Sequence, residues 1–114
     1  MASTFQTEDR HAQQLLKPLR VAGTQASVFQ EARNLASELP GWKVLEVDES
    51  KLSIRCERAG GFLRGAALVT ITVEGPAGIP SATVNVRSET RGGPFARDRA
   101  NVLEFMRRFE RRVC

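Results

Sequence analysis

The sequence predicts an α+β domain of two layers, in which two amphipathic helices cover one face of a four- to five-stranded antiparallel sheet. Apolar residues recur at helical spacing over residues 28–39 and 102–113, and they alternate with polar residues in four runs between those segments. Short or glycine- and proline-containing links join the runs, which favours antiparallel neighbours over crossover helices. The expected element order is therefore (β)-α-β-β-β-β-α, with a short first strand in brackets.

The chain of 114 residues has room for one core. We expect residues 1–18 to form a flexible N-terminal tail and residues 19–114 to form the single α+β domain. The tail is polar, ends at Pro18 and lacks the apolar block of a signal peptide, so we expect a cytoplasmic location. No apolar run approaches the roughly 20 residues of a transmembrane helix, and no such segment is expected.

The first helix is expected after a short edge strand at residues 19–23. Ser27 and Gln30 have the spacing of a capping box, in which two side chains satisfy the first unpaired backbone N–H groups of a helix. Pro40 and Gly41 end the helical pattern. The residues predicted on its buried face are Val28, Phe29, Ala32, Leu35, Ala36 and Leu39.

Four strands are expected next, at residues 42–47, 51–58, 66–74 and 81–89. In the second run, Leu52, Ile54 and Cys56 alternate with polar residues, which is typical of a strand with one face toward solvent. The last two runs are rich in β-branched residues. Cys56 is predicted to be a small buried residue, because a chain with two cysteines, Cys56 and Cys114, is not a disulfide scaffold.

The closing helix is expected to begin at Asp98, as its N-cap, and to end near Val113. Its predicted buried stripe consists of Val102, Phe105, Met106, Phe109 and Val113. The net charge of +4 comes from this part of the chain. Residues 1–86 contain nine Lys/Arg and nine Asp/Glu, whereas residues 87–114 contain eight arginines and four acids.

The end of the fourth strand carries a family resemblance. Residues 87–93 follow the pattern Arg-Ser-x-Ser/Thr-Arg-x-Gly before a loop and a closing helix, and this resembles the domain of unknown function 1499 family; Leu-Pro-Gly-Trp at 39–42 is similar too. The helix at 99–110 resembles the last helix of small bacterial helix-grip domains (TBP-like or START-like). The resemblance spans about residues 19–113 and implies the fold without a particular activity. Residues 95–101 lack the glycine of the family's Asp-x-Gly-x-Asn, and 65–67 lack its paired acids.

The residue types argue against an enzyme, a metal site or a cofactor site. His11 is the single histidine and lies in the predicted tail, so the commonest general base is missing from the domain. One histidine and two distant cysteines give no zinc spacing. Gly60-Gly61 and Gly92-Gly93 lack the spacing and the lysine of a phosphate-binding loop. We therefore predict no catalytic residues, no metal and no cofactor.

The first candidate site is an anion site formed by Arg87, Ser88, Thr90 and Arg91. Guanidinium groups and hydroxyls beside a glycine-rich turn that leads into a helix would suit phosphate, carboxylate or a lipid headgroup. The alternative is structural. In that case Arg87 pairs with an acid on a neighbouring strand, such as Glu57 or Glu74, and the hydroxyls begin the loop.

The second candidate site is the rim of an apolar pocket, formed by Phe62, Leu63 and Ile79. These residues lie in two glycine-containing loops and could gate a space between helix and sheet, as in helix-grip binders. They could equally fold back as loop anchors.

The third feature is the arginine side of the last helix, which carries Arg107, Arg108, Arg111 and Arg112. It could bind nucleic-acid phosphates or an anionic membrane surface. A solvated helix face is the alternative, because Glu104 and Arg108 have the spacing of a stabilising pair within a helix and no aromatic residues are left over for base stacking.

The sequence thus favours a non-enzymatic binding or interaction domain that holds a small apolar or anionic ligand between sheet and helix. A nucleic-acid-binding module is the second hypothesis. Self-association as a homodimer, through an open sheet edge or the Cys114 end, is the third.

Overall fold

A computed structural model describes residues 2–8, 16–59, 66–75, 80–91 and 98–113. Its elements are β1 (Ala2–Gln6), β2 (Leu19–Val21), α1 (Gln25–Glu38), β3 (Trp42–Asp48), β4 (Ser53–Arg58), β5 (Ala67–Glu74), β6 (Ala82–Arg91) and α2 (Asp98–Val113). The predicted α+β class and the order of the two helices and four main strands are confirmed.

The six described strands form one antiparallel sheet in the order β1-β6-β5-β4-β3, with β2 also paired to β6. Neighbouring side chains alternate between its two faces, because successive residues of a strand point to opposite sides. In β5, Val69, Ile71 and Val73 are buried beneath the helices, whereas Thr70 and Thr72 face the other way and are half-buried. One face of the sheet is thus apolar and covered, and the other is polar and open.

The N-terminal segment differs from the flexible tail predicted over residues 1–18. β1 pairs with the second half of β6, from Ala2 opposite Arg91 to Gln6 opposite Arg87, while β2 pairs with the first half. Thr7 fills the gap between them, because its N–H donates to the carbonyl of Val86 and its hydroxyl accepts from the Val86 N–H. Leu16 is also buried in the core. The polar composition predicts a tail. The segment is a strand instead, because the outer edge of β6 has backbone N–H and C=O groups with which it pairs.

α1 begins three residues earlier than the predicted capping box implies. Its N-cap is Thr24, whose hydroxyl accepts a hydrogen bond from the backbone N–H of Ser27 at 3.2 Å. Ser27 instead lies inside the first turn, where its hydroxyl donates to the Thr24 carbonyl. The predicted apolar face is confirmed, since Val28, Phe29 and Ala32 and their successors on that face are buried.

α2 packs across the apolar face of the sheet and against α1. Val102, Phe105, Met106 and Phe109 are at most 1% exposed. The Phe105 ring lies 5.9 Å from the Trp42 ring and 5.5 Å from the Phe109 ring, measured between centroids. The middle and the C-terminal end of the helix–sheet interface are therefore filled with side chains.

Two polar contacts hold α2 in place over the rest of the fold. Glu104 Oε1 accepts hydrogen bonds from the Trp42 indole N–H at 3.0 Å and from Arg58 Nε at 3.1 Å, so α2 is joined to β3 and β4. Arg112 donates to both Glu31 and Glu38 of α1. Glu104 thus bonds Arg58 rather than forming the intrahelical pair with Arg108 that its spacing predicts. Neither described helix is long and apolar enough to cross a membrane.

Candidate functional site

The N-terminal end of α2 meets the end of β6 in a buried polar cluster. We define this cluster as Ser88, Thr90, Asp98 and Asn101, which are 0%, 2%, 3% and 8% exposed, respectively. Polar groups at such positions need partners, since an unpaired buried donor or acceptor is costly. Here most of the partners come from within the cluster.

The hydrogen bonds of the polar cluster converge on one carboxylate oxygen. Ser88 Oγ donates to Asp98 Oδ1 at 2.6 Å, and Thr90 Oγ1 donates to the same oxygen at 2.7 Å. Asn101 Nδ2 donates to Ser88 Oγ at 3.1 Å. Both contacts to Oδ1 have the short lengths of charge-assisted O–H···O⁻ bonds.

The second oxygen of the same carboxylate is different. Asp98 Oδ2 is buried and has no hydrogen-bond partner. The salt bridges among the described residues do not include Asp98 either. The cluster therefore contains a buried acceptor without a donor, beside the first turn of a helix whose N-terminus favours negative charge.

Strand geometry explains why these residues meet. Ser88 and Thr90 continue the inward-facing series of Ala82, Val84 and Val86 on β6, so both hydroxyls point beneath α2. Across the sheet Ser88 lies between Phe5 of β1 and Val69 of β5, and Thr90 lies opposite Ala67. The floor around the hydroxyls is thus made of small and apolar residues.

The predicted anion site is not assembled as one cluster. Arg87 lies on the open face of the sheet, its side chain is 51% exposed, and its Nε contacts Glu89 Oε1 at 3.2 Å. Ser88 and Thr90 face the opposite side, because they alternate with Arg87 along β6. Arg91 lies in β6 opposite Ala2. Arg87 also pairs within its own strand, rather than with Glu57 or Glu74.

The inward side also differs from that prediction. The carboxyl group of Asp98 lies between the two hydroxyls and accepts a hydrogen bond from each, so both hydroxyls already donate to a group of the protein itself. Asp98 was predicted only as a helix cap, and Asn101 was not singled out. The signal that could have found them is the alternation itself: hydroxyls in phase with buried valines need a buried acceptor nearby.

The predicted pocket rim lies outside the described residues, since Phe62 and Leu63 fall within 60–65 and Ile79 within 76–79. The flanking residues are described. Ala67, just after the first segment, pairs with Thr90 and so lies at the same end of the sheet as the polar cluster.

A groove of about 430 Å³ lies on the open face of the sheet. Thr70 and Thr72 of β5 and Asn85, Arg87 and Glu89 of β6 line it, together with Gln6 and Thr7. Some of the polar side chains that line the groove already pair with one another. Thr7 donates to Asn85 at 3.1 Å, and Arg87 contacts Glu89. It offers a mixed polar surface, without the single unmatched group that marks the polar cluster.

Of the four arginines on the arginine side of α2, Arg112 has acidic partners on α1. Arg112 contacts Glu31 and Glu38, and these hydrogen bonds raise its pKa further above the ordinary value. Arg107, Arg108 and Arg111 are exposed. For Arg112, these contacts favour a structural role over a role in binding nucleic acid or a membrane.

Cys56 is buried and unpaired. Burial raises the pKa of its thiol from 9.0 to about 11, because desolvation disfavours the thiolate. Within the described ranges, no three His, Cys, Asp or Glu residues are grouped so that they could hold a metal ion.

Comparison with known proteins gives a likeness of fold. No protein-family model matches the chain. No curated protein matches it either.

Among solved structures, the chain is similar to norcoclaurine synthase from Thalictrum flavum. A point mutant in complex with a transition-state analogue has a TM-score of 0.57 at 16% identity, covering 100% of this chain and 85% of that one. The complex with dopamine and hydroxybenzaldehyde gives 0.56 at 16% identity, covering 100% and 78%. The truncated enzyme gives 0.52 at 15% identity, covering 100% and 84%. The likeness extends over the whole chain and supports the helix-grip arrangement of its sheet and helices.

Proposed function

We propose that this chain is a non-enzymatic binding domain of the helix-grip type, which holds a small ligand between the sheet and the N-terminal end of α2. The observation that carries the proposal is the unpaired, buried Oδ2 atom of Asp98 in the polar cluster. Buried polar groups in folded proteins nearly always have a hydrogen-bond partner, so an unpaired one calls for an explanation. The similar fold of an enzyme solved with dopamine and hydroxybenzaldehyde is compatible with a ligand in such a fold.

The location follows from how the interface is packed. Phe105, Met106 and Phe109 fill the middle and far end of the space beneath α2. The polar cluster lies at the other end, where the floor of the sheet is small or polar at Ala67, Ser88 and Thr90. We therefore propose a ligand at this end rather than along the full length of the helix.

The non-enzymatic part of the proposal rests on the chemistry of the same residues. Ser88 and Thr90 donate directly to a carboxylate, with no histidine between them to act as the general base of a nucleophile. A hydroxyl held in this way orients and stabilises the carboxylate. We assign the polar cluster to recognition.

We also propose that the resemblance to the domain of unknown function 1499 family is genuine. Ser88 and Thr90 belong to the strand motif, and Asp98 and Asn101 would be a shortened form of that family's Asp-x-Gly-x-Asn. Their mutual hydrogen bonds give one reason for the two motifs to occur together.

The test is a fragment screen by ¹⁵N–¹H NMR on the whole chain. We expect some fragments to shift the amide signals of Ser88, Thr90, Asp98 and Asn101, while Thr70 and Asn85 on the open face stay unmoved. If no fragment shifts the cluster, or if fragments shift only the open face, the proposed ligand site is wrong.

A further inference from the structure

β3 forms one edge of the sheet, because β4 is its single neighbour among the described strands. Within the described residues, the only backbone hydrogen bond of β3 outside its ladder with β4 joins the Trp42 N–H to the Leu39 carbonyl. The opposite edge of the sheet is divided between the shorter strands β1 and β2. β3 is seven residues long, so its outer side offers backbone donors and acceptors to a further strand.

A β-bulge in β3 places two charges of opposite sign on the same face of the sheet. The register with β4 shifts at Leu45, which has no partner on that strand. Lys43 lies opposite Glu57, and Glu46 lies opposite Arg55. These two residues of β4 are exposed and alternate with its buried residues, so Lys43 and Glu46 both lie on the open face. Without the extra residue, positions 43 and 46 would point to opposite faces.

The edge of β3 is complementary to itself. When two copies pair antiparallel about a twofold axis between Val44 and Leu45, Lys43 of each copy lies opposite Glu46 of the other. The residues of the covered face are matched in the same register, because Trp42 then lies opposite Val47 of the second copy. Both the charges and the two faces of the sheet are therefore compatible with pairing of identical edges.

The charges of β4 extend this match on the open face. Within one copy, Arg55 Nη1 contacts Glu46 Oε2 at 3.6 Å. In the other copy, Lys43 lies opposite Glu57. The paired edges would give a row of four side chains whose charges alternate in sign, and the twofold axis would produce this row twice. Opposite charges on facing strands stabilise the pairing, whereas like charges oppose it.

A register shifted by two residues would also match the faces, but it would place Lys43 opposite Asp48 of the second copy. The Asp48 carboxylate already accepts hydrogen bonds from the Ser50 N–H, the Ser50 hydroxyl and the Lys51 N–H in the β3–β4 turn. Asp48 is thus engaged within its own chain. The register that pairs Lys43 with Glu46 is therefore favoured.

Leu45 adds apolar surface at the centre of the same edge. Among the residues that the structure describes, it is the one large apolar residue that is exposed, at 51%. In the favoured register it lies opposite Val44 of the second copy, which is half-buried. Pairing of the edges would remove part of this apolar surface from water, which favours association.

We propose that β3 is a dimerisation edge, at which two copies of this chain pair antiparallel and join their sheets into one. Backbone hydrogen bonds between the two strands supply affinity, and the contacts of Lys43 with Glu46 fix the register. β5 and β4 lie between β3 and β6, the strand of the polar cluster. The dimer edge is therefore independent of the proposed ligand site.

The first experiment is sedimentation velocity of the unmodified chain at increasing concentration, up to the millimolar range. The buffer contains a reducing agent, which excludes a disulfide through Cys114. We expect a reversible equilibrium between monomer and dimer. A chain that stays monomeric at every concentration would overturn the proposal.

The second experiment reverses the two charges separately, in Lys43→Glu and Glu46→Lys. We expect each variant to dimerise roughly tenfold more weakly or worse than the unmodified chain, since two attractive pairs become repulsive. An equal mixture of the two variants should form a heterodimer, because opposite charges then face each other at both contacts. The proposal is wrong if either variant dimerises as the unmodified chain does, or if the mixture stays monomeric.

Two further variants separate the edge from other surfaces. Arg111→Glu reverses an exposed charge on α2 and should leave the dimer unchanged. Leu45→Lys alters a side chain that is exposed in the monomer, so we expect it to fold, as checked by urea unfolding followed through Trp42 fluorescence, and to lose the dimer. Loss of the dimer in Arg111→Glu, or its retention in Leu45→Lys, would contradict pairing through β3.

Discussion

Cys56 of β4 and Asp98 of α2 are both buried, but their surroundings differ. Cys56 lies among apolar residues of the core, where its thiol is best kept neutral. Asp98 lies in the polar cluster, where two hydroxyls point at one of its oxygens. Burial thus raises the pKa of the thiol at one position, and at the other position it is accompanied by hydrogen bonds from two hydroxyls.

The raised pKa of Cys56 predicts both its reactivity and a pH effect. In a Cys114→Ser background, we expect a thiol reagent to modify Cys56 at neutral pH only as fast as the protein opens, because the native thiol is buried and protonated. The check is the modification rate in native buffer and in denaturant. Rapid reaction of the native protein would contradict the burial.

The sign of the pH effect follows from proton binding. Between about pH 9 and 11 the unfolded thiol ionises while the folded one stays protonated, so the folded state binds more protons and stability falls as pH rises. We expect urea unfolding of the unmodified protein to show this decline relative to Cys56→Ala over that range. Parallel pH profiles of the two proteins would contradict it.

At the level of elements, α2 is held over the sheet by side chains near its middle and its end. Glu104 receives the Trp42 indole N–H and Arg58 Nε, and Arg58 in turn lies against Gly41. Gly41 has a φ of 81°, and a Cβ there would lie 2.2 Å from the Arg58 guanidinium. The glycine thus serves both the turn after α1 and the position of the arginine.

We predict that Glu104→Ala destabilises the protein by about 1–2 kcal/mol, because two donors lose a charged acceptor that is only partly exposed. Glu104→Gln should cost less, since its amide oxygen still accepts. The chain has a single tryptophan, so the fluorescence of Trp42 reports both the local change and global unfolding. Glu110→Ala is the matched control on the same helix, and an equal loss from it would contradict the contact.

At the scale of the whole molecule, the sheet is larger than its four central strands. β1 and β2 share the outer edge of β6, and Thr7 bridges the space between them. β6, the strand that carries Ser88 and Thr90, therefore has hydrogen-bonded neighbours along both of its edges. The polar cluster therefore sits on a central strand, which holds its hydroxyls more firmly than a sheet edge would.

We predict that deleting residues 1–8 lowers stability, because β6 loses the ladder to β1 and the buried Val86 N–H loses its acceptor. Thr7→Val, which removes only the hydroxyl, should cost about 1–3 kcal/mol through the unpaired N–H. Urea unfolding of both variants is the measurement. An unchanged midpoint after deletion would mean that the segment behaves as the tail predicted from composition.

The sequence by itself determined the two helices, the four main strands, and the buried face of both helices and of β4 and β6. Those features follow from local periodicity, such as Val84 and Val86 alternating with Asn85 and Arg87, and periodicity needs no knowledge of distant contacts. The alternation along β6 also predicts that Arg87 and Ser88 lie on opposite faces of the sheet, since adjacent strand residues point to opposite sides. The predicted anion site instead grouped these residues because they are close along the chain.

Only the tertiary structure decided what the hydroxyls of β6 face and what covers its edge. Asp98 and Asn101 reach Ser88 and Thr90 because α2 returns across the sheet, and no local pattern encodes that approach. β1 is likewise polar and short, and it becomes a strand because β6 offers unpaired backbone groups. Local sequence specifies the elements and their faces. Long-range packing specifies which polar groups meet, and so where a ligand could bind.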